Sequence, residues 1–245
     1  MMKTTFLLFA LALPFFASAQ NIQLHYDFGK QEDGTTRSFP VSTFELYKPD
    51  SMGYTFLFTD FEFNSPNKPR GASLGYFELA RSFFIPWFRE SHVLKDLMLH
   101  LEYNDGAVIY PDFNSDTLVL GENLRSSWLG GLEYGLMIGE FSLNAQLLYK
   151  YIRGSAAPDA QFTLVWFYPL FNYKLSLTGY VDVWSQDDFY HNPDNKILAV
   201  YAEPQIWYNF SEHLSVGSEF KISKNFVFGS ERVEVFPTLG VKWEF

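Results

Sequence analysis

Hydrophobic residues in this chain recur at every second position, over and over, and that period of two constrains the fold more than any other feature. Ile22, Leu24, Tyr26 and Phe28 alternate with Gln23, His25 and Asp27. Leu97, Leu99, Leu101 and Tyr103 alternate with Met98, His100, Glu102 and Asn104, and the pattern returns from Phe141 to Tyr151. Successive side chains of an extended backbone point to opposite faces, so each run is a strand with one apolar and one polar face. A helix would need apolar residues at i+3 and i+4, which these runs do not supply. Phe162–Tyr168, Tyr173–Trp184 and Leu214–Ile222 behave the same way. Val41–Lys48, Gly53–Phe63, Ser73–Arg81, Trp128–Ile138 and Leu198–Tyr208 alternate less strictly, and Val233–Phe245 forms the terminal segment. The pattern predicts about twelve strands, an even number as a single-chain bacterial barrel requires.

Two closures can bury so many half-apolar strands, and composition separates them. Aromatic residues make up 20% of the chain, with 27 Phe and 15 Tyr. A soluble barrel or β-sandwich would gather those rings inside and place polar residues outside. Here the apolar faces ending in Phe28, Tyr151 and Phe245 are too long and too oily for water. They suit lipid, with the polar faces lining a lumen. The expected fold is therefore all-β, a closed antiparallel transmembrane β-barrel, which also removes the free edges that make strands aggregate. A net charge of −10 argues against nucleic acid or an anionic surface as a partner. With no cysteine, disulfides, thiol chemistry and Cys-based metal sites are excluded.

The chain divides into residues 1–19, read as a signal peptide, and residues 20–245, read as the barrel. Lys3 gives a basic start, Phe6 to Phe16 an apolar stretch, and Ala17-Ser18-Ala19 a small-residue cleavage site. Links between strands alternate as a barrel demands. Gly29–Ser38, Asn64–Gly71, Asp105–Asn123 and Ser185–Asn195 read as long external loops; Pro49–Met52, Gly139–Glu140 and Ser211–His213 read as short periplasmic turns. Phe83–His92 is long for a turn, and its Trp87 and Arg89 suit a segment lying at the membrane interface. In the last strand Val235, Pro237, Leu239, Val241, Trp243 and Phe245 share one face. A terminal aromatic on that face resembles the mark by which outer-membrane barrels are recognised. The expected setting is the outer membrane of a Gram-negative bacterium, with its lipid, lipopolysaccharide and barrel-assembly machinery as partners.

Strand parity also assigns the lumen. The candidate pore-lining and solute-binding residues are Glu45, Tyr54, Phe56, Phe58, Asp60, Glu62, Glu78, His100, Glu102, Glu133, Tyr180, Asp182, Trp184, Glu203, Gln205 and Glu219. Tyr76, Tyr201, Trp207, Glu234 and Phe236 share that parity, with Lys150, Lys174, Lys221 and Lys242 as counter-charges. Charges inside a membrane barrel need water or partners. Rings interleaved with carboxylates can stack and hydrogen-bond a flat polar solute, and an acidic lumen favours neutral or cationic solutes. Inward charges that merely brace the wall are the plain alternative.

Phe167-Tyr168-Pro169-Leu170-Phe171-Asn172-Tyr173-Lys174-Leu175-Ser176-Leu177-Thr178-Gly179-Tyr180-Val181-Asp182 resembles the strand–Pro–turn–strand segment of Tsx-type nucleoside channels. Thr43-Phe44-Glu45-Leu46 and Phe58-Thr59-Asp60-Phe61-Glu62 resemble that family's second and third strands, and Tsx-like exported proteins of Bacteroidetes are more similar still. The resemblance implies a narrow monomeric barrel passing nucleosides. The functional expectation is thus an outer-membrane channel for small polar solutes such as nucleosides, not an enzyme and without a cofactor. A structural or receptor-like barrel is the alternative, and a lipid-modifying enzyme a remoter one. His213-Leu214-Ser215 matches the His-x-Ser of outer-membrane phospholipases, but falls in a periplasmic turn on a lumenal parity. His25, His92, His100, His191 and His213 lack zinc-ligand spacing.

Overall fold

In the computed structural model, the described residues are 19–30, 34, 36–63, 71–111, 119–189, 191–227 and 230–245. The expected signal peptide falls almost wholly outside them, as does most of the Asn64–Gly71 link. The described strands are β1 (Ala19–Asp27), β2 (Phe39–Asp50), β3 (Gly53–Phe63), β4 (Ala72–Phe84), β5 (Leu97–Pro111), β6 (Val119–Ile138) and β7 (Phe141–Ile152). They continue as β8 (Asp159–Leu170), β9 (Leu175–Asp188), β10 (Asn192–Ala202), β11 (Gln205–Asn209), β12 (Leu214–Lys224) and β13 (Glu234–Glu244). Each pairs antiparallel with its neighbours, and β1 pairs with β13, from Asn21↔Glu244 to Asp27↔Thr238. The sheet is a closed barrel. Closure pairs the edges that an open sheet would leave bare.

The thirteen segments make twelve staves, because β10 and β11 are two halves of one. Both halves lie between β9 and β12. The expected continuous strand Leu198–Tyr208 breaks at Glu203-Pro204, since proline has no N–H to offer the ladder. The gap stays bonded nonetheless: the Glu203 amide donates to the Tyr180 carbonyl and the Phe220 amide to the Pro204 carbonyl, each at 3.0 Å. Gly179 makes room for this kink. Its φ is +144°, and a Cβ there would sit 2.3 Å from the Glu203 carbonyl oxygen.

Three other boundaries differ from the sequence reading. Asp105–Asn123 is not mainly loop; β5 and β6 stay paired out to Pro111↔Val119, forming a long hairpin arm. Ser185–Asn195 is likewise mostly strand, with a register shift between Asn192 and Lys196. Tyr173 and Lys174 do not start β9. They belong to a tight turn in which Phe171, Asn172 and Tyr173 all take positive φ, and the expected lumenal Lys174 is exposed there. The Phe83–His92 segment holds a single 3-10 turn, Pro86–Phe88, that presents Trp87 with 81% of its surface exposed.

Burial follows the period of two around the whole barrel. On β1, Gln23, His25 and Asp27 are buried while Leu24 and Tyr26 are more than half exposed. Exposed apolar side chains form a continuous outer belt that includes Leu99, Leu132, Leu147 and Leu239. Such a belt is stable against hydrocarbon and not against water. Short turns and the 3-10 turn gather at one end, together with both ends of the described chain, where the Phe245 amide donates to the Gln20 carbonyl at 3.0 Å.

Candidate functional site

Strand register carries the inward face from stave to stave. One row runs Asn21, Glu45, Phe58, Glu78, Asn104, Ser127 and Ile152 through consecutive pairings. Another runs Tyr201, Asp182, Thr163, Gln146, Glu133 and Met98. All of the candidate residues named from the sequence lie on this inward parity. They do not form one site; they fall into three levels.

Near the short-turn end is a knot of hydrogen bonds around Glu133. Its carboxylate accepts from Tyr54 Oη (2.7 Å) and Ser82 Oγ (2.6 Å), and from the Asn144 amide. His100 Nδ1 lies 2.9 Å from Glu133, and its Nε2 lies 3.0 Å from Glu102. Glu133, His100 and Ser82 are each 1% exposed or less. An imidazole held between two carboxylates, with every oxygen of Glu133 in use, is a rigid brace. Tyr47 packs against Tyr54 at 4.9 Å, just inside the mouth.

The middle level is an acidic belt. Asp60, Glu78, Glu102, Asp182, Glu203 and Glu219 come from β3, β4, β5, β9, the β10–β11 kink and β12. Glu78 stands within electrostatic reach of Glu102, Asp182 and Glu203. Lys221 reaches across to Asp60 at 3.1 Å, which also accepts from Thr43, and lies 3.6 Å from Glu203 and from Glu219. Rings interleave the acids. Tyr76 donates to Glu78 and Tyr201 to Glu203, both at 2.7 Å, while Phe58 stands edge-on to Tyr76 and Tyr180 faces Tyr201. Gln205 donates to Glu219 (2.7 Å) and accepts from Trp207 Nε1 (2.8 Å); Glu45 accepts from Asn21. Phe56 lies between Tyr47 and Ala80 in register, toward the short-turn end.

The outer level narrows the passage. Arg37 folds inward, ion-pairs with Asp27 (2.7 Å) and Glu62 (3.1 Å), and lies over Phe39 and Phe236. Trp184 and Tyr201 pack against Phe226, which enters from the β12–β13 link. Glu62 and Trp184 therefore belong to the mouth and not to the acidic belt.

Parity reasoning missed several inward residues. Tyr47 shares the face of Glu45, and Ser82 that of Glu78, so the period of two was enough to find both. Arg37 and Phe226 lie outside the strands, where no period applies. His213 and Ser215 are not a pair: His213 is exposed and its Nδ1 lies 2.9 Å from the Glu244 carbonyl oxygen, whereas buried Ser215 donates to Asn209. Among the described residues no three His, Asp or Glu side chains converge as a metal site would require.

Comparison with known proteins gives the same architecture. The COG4313 outer membrane channel from Pseudomonas putida F1 superposes with a TM-score of 0.55 at 12% identity, covering 96% of this chain and 97% of that one. The NanC porin superposes with a TM-score of 0.54 at 9% identity, covering 93% of this chain and 100% of that one. At such identities the likeness is one of fold. No curated protein matches the sequence. A family model does match, over residues 19–245: a domain of unknown function, DUF5020. The chain, a closed antiparallel barrel of outer-membrane type with an acidic, aromatic lumen, belongs to the DUF5020 family.

Proposed function

We propose that this protein is a narrow channel of the Gram-negative outer membrane, carrying small polar solutes through an acidic lumen. The observation that carries this reading is the middle belt, in which six inward carboxylates outnumber the lysines near them, which among the described residues are Lys150, Lys221 and, beside Glu45 and Trp207, Lys242, and are interleaved with tyrosines. Bracing alone would call for balanced charge. An excess of acids beside half-buried rings instead favours neutral and cationic solutes and disfavours phosphorylated ones. The apolar outer belt supports residence in lipid, and two barrels of this fold are named as a channel and a porin.

Nucleosides are the finer reading. Phe56, Phe58, Tyr76 and Tyr180 offer stacking surfaces beside hydrogen-bonding carboxylates, as a flat heterocycle with a sugar requires, and the resemblance to Tsx-type channels points the same way. The partners follow from the setting: outer-membrane lipid, lipopolysaccharide and the assembly machinery, with the protein a monomer.

The outer mouth favours a second reading. Arg37, Phe39, Phe226 and Phe236 narrow it enough that a structural or receptor-like barrel would look similar. Purified protein in planar bilayers separates the two. The channel reading expects small, cation-selective conductance steps reduced by millimolar adenosine. Anion selectivity, or conductance indifferent to adenosine, would remove the nucleoside, and absence of conductance would leave the structural barrel. Fractionation expects the mature chain in the outer membrane; recovery from the soluble periplasm would defeat both readings.

A further inference from the structure

Lys221 and Lys150 serve the acidic belt unequally. Lys221 sits among Asp60, Glu203 and Glu219 at 3.1–3.6 Å. Lys150 bonds the Gln161 amide oxygen at 2.6 Å and lies 4.3 Å over the Trp184 ring, and it forms no ion pair among the described residues. On that side of the lumen Glu78 has the Tyr76 hydroxyl and Asp182 the Thr163 hydroxyl, and neither has a cation in contact. Both remain partly open to the lumen.

A second feature points to the same place. Asn104 leaves β5 on the inward face, two residues beyond Glu102 and in register with Glu78. It is 8% exposed, and its Oδ1 is buried with no hydrogen-bond partner. A buried amide oxygen without a donor costs stability. Turning it toward the lumen breaks no bond, and a ligand N–H would satisfy it.

We propose that Glu78, Asp182 and Asn104, beside the ring of Tyr180, form a binding station for the planar guanidinium group of a small organic cation. This deepens the channel reading, on which it relies for the ligand's route of entry. A guanidinium presents a flat fork of N–H donors that matches carboxylate oxygens and also stacks on aromatic faces. Lys150 stands within electrostatic reach of Asp182 and Glu78 but touches neither, its ammonium being bonded to Gln161 and set over Trp184. The acids around Lys221 already carry their cation, so the station lies between β4 and β9.

Titration calorimetry of the full detergent-purified barrel tests this without requiring conduction. The probe is methylguanidinium, compared with methylurea, its neutral counterpart of the same shape. Salt at about 0.15 M screens diffuse attraction beyond about 8 Å. We expect methylguanidinium to bind at least ~10-fold more tightly than methylurea, as charge-assisted bonds exceed neutral ones. Glu78→Gln with Asp182→Asn should abolish that difference, and Asn104→Leu should reduce it several-fold. Glu140→Gln, in the exposed Gly139–Glu140 turn outside the lumen, should leave it unchanged. Heat-modifiability on a gel reports that each variant is folded, and Asn104→Leu, which removes an unpartnered amide, keeps the test available should the double variant fail to assemble. Equal binding of the two probes, or an equal loss on Glu140→Gln, would overturn the station. A barrel that binds methylguanidinium yet carries no current would overturn the channel and leave the station standing. A conducting barrel indifferent to methylguanidinium would do the reverse.

Discussion

The Glu133 knot on β6 and the two acids Glu78 and Asp182, on β4 and β9 to either side of it, use the same chemistry to opposite ends. Glu133 accepts from Tyr54, Ser82 and Asn144 and faces His100, so none of its hydrogen-bonding capacity is left for a solute. Glu78 and Asp182 keep one close hydroxyl apiece and are only partly buried. A buried carboxylate is tolerated only when its partners repay its desolvation, so the knot is a brace by necessity. A carboxylate at the wet centre can wait for a partner that arrives. Burial and partner count, rather than residue type, separate wall from site.

That contrast breaks first at the knot. Replacing Glu133 with Leu strands the Tyr54 hydroxyl and the Asn144 amide and takes one of two carboxylates from His100, which keeps Glu102 and Ser82, so we expect a loss of about 3–5 kcal/mol. Urea unfolding of the barrel in lipid vesicles measures it. The corresponding change in the belt, Glu78→Leu, should cost much less; equal losses would erase the distinction.

The lipid-facing side of the same staves gives the next effect. Leu132 pairs with Leu99 and Leu147 in the outer belt, and Leu132→Lys should cost about 2–4 kcal/mol if it faces the bilayer midplane. The same unfolding measurement in vesicles applies, and a neutral outcome would place that face in water.

Within the lumen, Phe58→Ala should weaken block of conductance by adenosine by about 1–3 kcal/mol, the range for one base–ring contact. Phe56→Ala, nearer the short-turn mouth, should weaken it by no more. A larger effect at Phe56 would move the solute out of the belt.

Smallest is a shift in ion selectivity, read from the zero-current potential across a salt gradient. Glu78→Gln with Asp182→Asn removes charges that have no cation in contact and should reduce cation preference. Asp60→Asn with Glu62→Gln removes charges already facing Lys221 and Arg37, so the shift should be smaller. The opposite order would mean that the paired acids set the field.

Much of this molecule is legible in local sequence. Side chains alternate because of the backbone's own stereochemistry, so Leu24 against His25, or Leu101 against Glu102, can be placed outside and inside without knowing any neighbour. Gly53–Phe63 keeps the bounds its sequence suggests, since turns at Pro49–Met52 set its start. Where parity was followed less far, Tyr47 and Ser82 were overlooked although the rule covers them. Asp105–Asn123 misled because polar residues and two glycines imitate a loop, while the ladder that extends its described ends comes from the partner strand.

The alternation by itself determined the barrel, its number of staves and most of the strand residues that face inward. Only the tertiary structure decided which inward acids are spent and which are free. Glu133 meets Tyr54 across 79 residues and Lys221 meets Asp60 across 161, distances over which no local pattern speaks. Those meetings depend on closure of β1 onto β13 and on the kink at Pro204, which set the height of each side chain in the lumen. The period of two is a property of one strand, whereas partnership across a lumen is a property of the closed ring.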